Sequence, residues 1–82
     1  MTTANAEKKL AKLTGEKVLR DGRTSYVIYK GHVVSFGNQR NNGEETASMF
    51  HTRRVNDHSD PMTDYFAGTF HKNLNQAIRF ID

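Results

Sequence analysis

The sequence predicts an α+β domain: a small antiparallel sheet of three to four strands with an N-terminal and a C-terminal helix, in α-β-β-β-α order. Three observations carry this. Apolar residues recur at helical spacing near both ends of the chain, at Ala6, Leu10 and Leu13 and again at Leu74, Ala77, Ile78 and Ile81. Between them lie two β-branched and aromatic runs, Thr24-Ser25-Tyr26-Val27-Ile28-Tyr29 and His32-Val33-Val34-Ser35-Phe36. The links between the runs are too short for parallel crossovers, which leaves antiparallel hairpins. A chain of 82 residues supports one core, so residues 1–82 form a single domain.

Thr2 or Thr3 supplies the hydroxyl that caps the first helix, and Gly15 supplies its left-handed stop. Lys8, Lys9 and Lys12 lie around the side opposite the apolar stripe. That stripe is about three turns long and needs a tertiary partner to persist. Lys17-Val18-Leu19-Arg20 then leads to Asp21-Gly22, a pair that tolerates positive φ and reads as a hairpin turn. A two-residue turn at Lys30-Gly31 sets Tyr29 opposite His32, Val27 opposite Val34 and Ser25 opposite Phe36. Tyr26, Ile28, Val33 and Ser35 fall on the other face. Both faces of this hairpin carry apolar groups, whereas a sheet covered on one side alternates apolar with polar. The expected arrangement is both helices on one face and a partial apolar patch on the other.

Gly37 to Glu45 has no apolar residue and two glycines, which predicts a mobile loop. Thr46 to Val55 reads as a strand, with Met49, His51, Arg53 and Val55 on one side and Phe50, Thr52 and Arg54 on the other. Asn56 to Thr69 holds the only proline, Pro61, and reads as irregular. Thr69 is placed to cap the last helix. Lys72, Asn75, Gln76 and Arg79 form a second face of that helix, and Phe80 falls off the apolar stripe. The expected core is Leu10, Leu13, Val18, Val27, Val34, Phe36, Phe50, Phe70, Leu74, Ala77, Ile78 and Ile81.

Composition then narrows the chemistry. Cysteine is absent, which excludes disulfide scaffolds, thiolate zinc sites and cysteine nucleophiles. No apolar run approaches the roughly 20 residues of a membrane span, and the start MTTANAEKKL has no apolar signal region. A cytoplasmic setting with no membrane partner is the expectation. Residues 1–40 hold eight basic and three acidic side chains, and residues 41–82 hold four and six. The front of the molecule is therefore the part suited to polyanions. Lys8, Lys9, Lys12, Lys17, Arg20 and Arg23 are the candidate nucleic-acid-binding residues, since lysine and arginine displace condensed counterions from phosphates. Tyr26, Tyr29 or Phe36 would add base stacking.

Two other constellations bear on function. Aromatic and arginine side chains make good interface anchors, and Tyr26, Arg53, Arg54, Tyr65 and Phe66 are the candidates for protein binding. His58, Asp60 and Asp64, with Asp57, His51 or His71, combine imidazole and carboxylate in a way that suits divalent ions. Their spacing matches neither His-Glu-x-x-His nor a calcium loop. The commoner role of such residues is capping turns and pairing with Arg53 and Arg54, so no metal or cofactor is assigned. A metal-dependent hydrolase stays a remote alternative. Ser59 follows His58 in sequence, which does not aim its hydroxyl at the imidazole, and no glycine-rich phosphate loop is present. No catalytic residue is assigned and the chain is expected not to be an enzyme.

The element order resembles that of the double-stranded RNA-binding domain. In that family the last helix begins with a lysine cluster, whereas Gly68-Thr69-Phe70-His71-Lys72-Asn73 holds one lysine, which argues against membership. Arg53-Arg54, Asp57-His58-Ser59-Asp60, Asp64-Tyr65-Phe66, Gly68, Phe70, Leu74 and Ala77 together resemble a group of small uncharacterised bacteriophage-encoded accessory proteins. That resemblance spans Arg53 to Ile81 and transfers no site residue. It implies a short protein made in the cytoplasm of an infected host cell and acting on a host component. The combined expectation is a non-enzymatic binding module that engages nucleic acid through a basic N-terminal face. A module that binds a host protein is the alternative, and an exposed patch is compatible with a homodimer.

Overall fold

The computed structural model describes residues 1–55 and 68–82. The elements run α1 (Thr3–Thr14), β1 (Leu19–Asp21), β2 (Thr24–Tyr29), β3 (His32–Asn41), β4 (Glu44–Arg54), β5 (Thr69–His71) and α2 (Leu74–Ile81). The strands form one five-stranded antiparallel sheet in chain order, β1-β2-β3-β4-β5. The α+β class is as expected, with more strands than the three to four read from sequence.

The Lys30-Gly31 turn adopts positive φ at both positions, 48° and 74°, as a two-residue hairpin of the twist-matched type requires. It sets Tyr29 opposite His32, Val27 opposite Val34 and Ser25 opposite Phe36, the pairing expected from sequence. The first hairpin differs by one position. Asp21 pairs with Thr24, so Gly22 and Arg23 are the turn residues and only Gly22 takes positive φ.

The expected mobile loop at 37–45 is instead the far end of the β3–β4 hairpin. Asn42 and Gly43 (φ 52° and 81°) close it, with Asn41 paired to Glu44. Asn-Gly at a two-residue turn outweighs the polar composition around it, because polar residues are tolerated on a solvated ribbon. A bulge follows: Ser35 pairs with His51 but Gly37 with Ser48, so Met49 and Phe50 together oppose Phe36. Met49 takes φ 60°, where glycine is usual.

Register assigns the faces. Ser25, Val27, Val34, Phe36 and Thr52 share the helix side, and Leu19, Tyr26, Ile28, Val33, Ser35, His51, Arg53 and Phe70 share the other. Ala6 and Leu10 of α1 and Leu74, Ala77 and Ile78 of α2 pack with Val27, Val34 and Phe36 into the core. Each large apolar side chain so buried contributes about 1.5–3 kcal/mol. Leu13, Val18, Phe50 and Ile81 line this core but remain partly open. Phe36 meets Phe50 edge-on at 5.9 Å. Phe70, expected in the core, is 48% exposed, because the register of β5 turns it to the face away from the helices. Ala6 and Val33, which lie outside the expected core, are fully buried.

The Thr2 hydroxyl caps α1 and Gly15 ends it in the left-handed conformation. Thr69 belongs to β5 and does not cap α2. Asn73 does, accepting from the Gln76 amide at 2.9 Å. The Met1 carbonyl accepts from the Ala47 amide at 2.9 Å, and Thr2 bridges to Thr46, which blunts the edge of β4 beyond β5.

Candidate nucleic-acid interface

The basic candidates do not form one patch. Thr3, Ala6 and Leu10 are the buried residues of α1, so Lys8 and Lys12, one turn apart, project from its outer side into solvent. Lys9 is half-buried. At about 100° per residue it lies on the flank opposite Glu7. Lys17 is exposed after the helix.

Arg20 is drawn into the fold. Its Nη2 donates to Glu7 Oε2 at 3.0 Å and its Nη1 lies 3.3 Å from Glu45 Oε1. The hydrogen bond to Glu7 raises its already high pKa further. The two carboxylates thereby share one guanidinium. The pairs are open to solvent, and such pairs contribute about 0–1 kcal/mol each. They hold β1 against α1 and β4 more than they stabilise the whole.

Arg23 stands at the β1–β2 turn and lines a cleft of about 410 Å³ with Asn38, Gln39, Arg40 and Glu45. Arg40 was hidden by the loop reading. The Asn42-Gly43 turn signal would have found it, because that turn fixes Arg40 opposite Glu45. Behind the cleft runs a buried polar chain. Thr3 Oγ1 donates to Asn38 Oδ1 at 2.8 Å, Asn38 Nδ2 donates to Ser25 Oγ at 2.9 Å, and Ser25 Oγ donates to Glu7 Oε2 at 2.7 Å. The Asn38 amide donates to the Arg23 carbonyl at 2.7 Å, tying the β1–β2 turn to β3.

Among the described residues, Lys8, Lys12, Lys17, Arg23 and Arg40 have no ion-pair partner. Lys30 does: its Nζ lies 2.8 Å from Asp82 Oδ1, which also accepts from the Tyr29 hydroxyl at 3.0 Å. That sharing raises the Lys30 pKa and lowers that of Asp82.

The protein-binding candidates separate as well. Tyr26 is half-buried on the face away from the helices. Arg53 is buried on that same face, with its Nη1 donating to the Arg54 carbonyl at 3.2 Å. Arg54 is exposed and, paired with His32, turns to the helix side. Tyr65 and Phe66 lie outside the described residues, as do Asp57, His58, Ser59, Asp60 and Asp64 of the metal constellation. His51 and His71 sit on opposite faces of the sheet, the His51 ring meeting Phe70 at a tilt of 56° with centroids 4.8 Å apart and the His71 ring meeting Phe80 at 54° and 5.0 Å. Among the described residues no group of three or more potential ligands could hold a metal, and no helix is long and apolar enough to cross a membrane. Comparison with protein-family models, with curated proteins and with solved structures finds no match to this chain.

Proposed function

We propose that this protein is a non-enzymatic nucleic-acid-binding module that grips the phosphate backbone through its basic front. One observation carries the reading. Residues 1–40 hold eight basic and three acidic side chains, and within that stretch the ion pairs among the described residues engage only Arg20, with Glu7 and Glu45, and Lys30, with Asp82. Lys8, Lys12, Lys17, Arg23 and Arg40 are exposed and have no ion-pair partner among the described residues. Such a surface attracts polyanions without reading sequence.

Fluorescence anisotropy with labelled single-stranded DNA, duplex DNA and RNA tests this. Binding that falls steeply between about 50 and 200 mM salt is the expected result. No anisotropy change with any of the three at the lower salt overturns it.

A second reading has its own support. Leu19, Ile28 and Phe70 are each close to half exposed on the sheet face away from the helices. A host protein docking there would be captured equally well from nuclease-treated and untreated lysate, and Ile28→Lys would abolish the capture.

A further inference from the structure

We propose that the cleft between Arg23 and Arg40 is a phosphate site, where the basic front holds one phosphodiester group of a nucleic-acid strand. The strand as the source of the phosphate rests on the function proposed above; the recognition chemistry of the cleft does not.

Charge is the first argument. Two arginines line the cleft with no ion-pair partner among the described residues, and one acid, Glu45, lines it with them. The Glu45 carboxylate is 3.3 Å from Arg20 Nη1, and that guanidinium is shared with Glu7, so its charge is answered in part from outside the cleft. Guanidinium groups present paired N–H donors that fit two phosphate oxygens at once. An anion therefore meets two guanidinium groups against one partly compensated acid, a lining of net positive charge.

Rigidity is the second. The backbone that carries the walls is held without a ligand. The Arg23 carbonyl accepts from the Asn38 amide at 2.7 Å. Asn38, 7% exposed, is locked by Thr3 and Ser25. The Arg40 backbone is fixed in register opposite Glu45. Binding therefore has to order the two arginine side chains but not the strands that carry them.

Size is the third. A volume of about 410 Å³ exceeds what a bare phosphate fills. It falls in the range of roughly 300–1,000 Å³ typical of small-ligand sites. There is room for a phosphate together with the sugar it joins.

The test uses the full chain with three probes: inorganic phosphate, a mononucleotide and a labelled oligonucleotide. NMR of the arginine Nε–Hε signals reports occupancy, and anisotropy reports affinity. Arg23→Gln and Arg40→Gln are each expected to weaken oligonucleotide binding about tenfold and to lower the salt slope by about one. Glu45→Gln is expected to tighten binding several-fold, since it removes the one acid in the cleft. Circular dichroism checks that each variant folds.

If the oligonucleotide binds, and the Arg23→Gln/Arg40→Gln pair changes neither affinity nor slope while Lys8→Gln/Lys12→Gln weakens binding, the cleft assignment is overturned and the nucleic-acid reading survives. If the oligonucleotide does not bind, but phosphate or the mononucleotide shifts the arginine signals in the unaltered protein and not in the double variant, the cleft stands as a phosphate site and the strand is overturned as its source. If no probe has any effect, both fail.

Discussion

Thr3 and Asn38, 35 residues apart, share a buried hydrogen bond in which the threonine hydroxyl donates to the Asn38 carboxamide oxygen at 2.8 Å. The other end of that carboxamide donates to Ser25 at 2.9 Å. One side chain therefore clamps α1, β2 and β3 where the apolar core runs out. Asn38→Ala strands the Thr3 hydroxyl, whereas Ser25 loses the Asn38 donor but keeps its own bond to Glu7. A buried polar group left without its partner costs about 1–3 kcal/mol, so a loss in that range is expected, read from the midpoint of urea unfolding. Thr3→Val removes one hydroxyl and should cost less. The two losses should not add, because the residues are in contact.

Gly68 lies against β4 with no room for a side chain. A Cβ there would overlap the Thr52 carbonyl and stand 2.6 Å from the His51 ring. The obstacle includes backbone and cannot swing away. Gly68→Ala should cost about 1–3 kcal/mol or more, the range for overpacking, with a matching fall in melting temperature. At Gly37 the nearest atom to a Cβ is 3.8 Å away, in ordinary contact. Gly37→Ala should therefore be close to neutral. Equal effects at the two glycines would contradict the packing described here.

Periodicity revealed the helices because the Leu10 and Leu74 faces had one place to go. The β2–β3 register was legible because Lys30-Gly31 leaves a two-residue turn one way to pair its strands. The misreadings came where tertiary pairing outweighs local pattern. Gly37 to Glu45 looks like a loop by composition, yet its backbone is satisfied by its own hairpin partner. Phe70 looks like core by type, but its pairing with His51 decides its face. The cleft was half visible. Arg23 was found from charge alone, whereas Arg40 needed the hairpin, and no sequence pattern shows that Arg20 would be drawn to Glu7 and Glu45.

Met49 takes a left-handed φ of 60° at the bulge while 54% exposed. That conformation costs a non-glycine residue about 1–2 kcal/mol. Glycine relieves it but loses about 0.5–1 kcal/mol of extra chain entropy on folding. Met49→Gly should thus be neutral to mildly stabilising, despite removing a whole side chain from a strand. Met49→Val should destabilise by at least about 1 kcal/mol, since a β-branched residue tolerates this φ worst. Paired thermal melts of the two variants give the comparison. A valine variant as stable as the glycine variant would mean that the bulge does not take this form.

Burial lowers the pKa of both His51 and His71, and the positive charge of Arg53 lowers that of His51 further. Each ring is therefore harder to protonate in the folded chain than in the unfolded one, whose histidines titrate near 6.5. Below that pH the unfolded state binds more protons, and stability falls as pH falls. Above about pH 7.5 both states hold these rings neutral, and the two histidines contribute no pH dependence. Urea midpoints should be level from pH 7.5 to 8 and should drop progressively from pH 7 to pH 5. His71→Gln should flatten that drop, since Thr52 Oγ1, 2.7 Å from the His71 ring nitrogen, keeps a polar partner within reach of the glutamine. A pH profile identical in the variant and the parent would show that His71 does not carry the acid sensitivity.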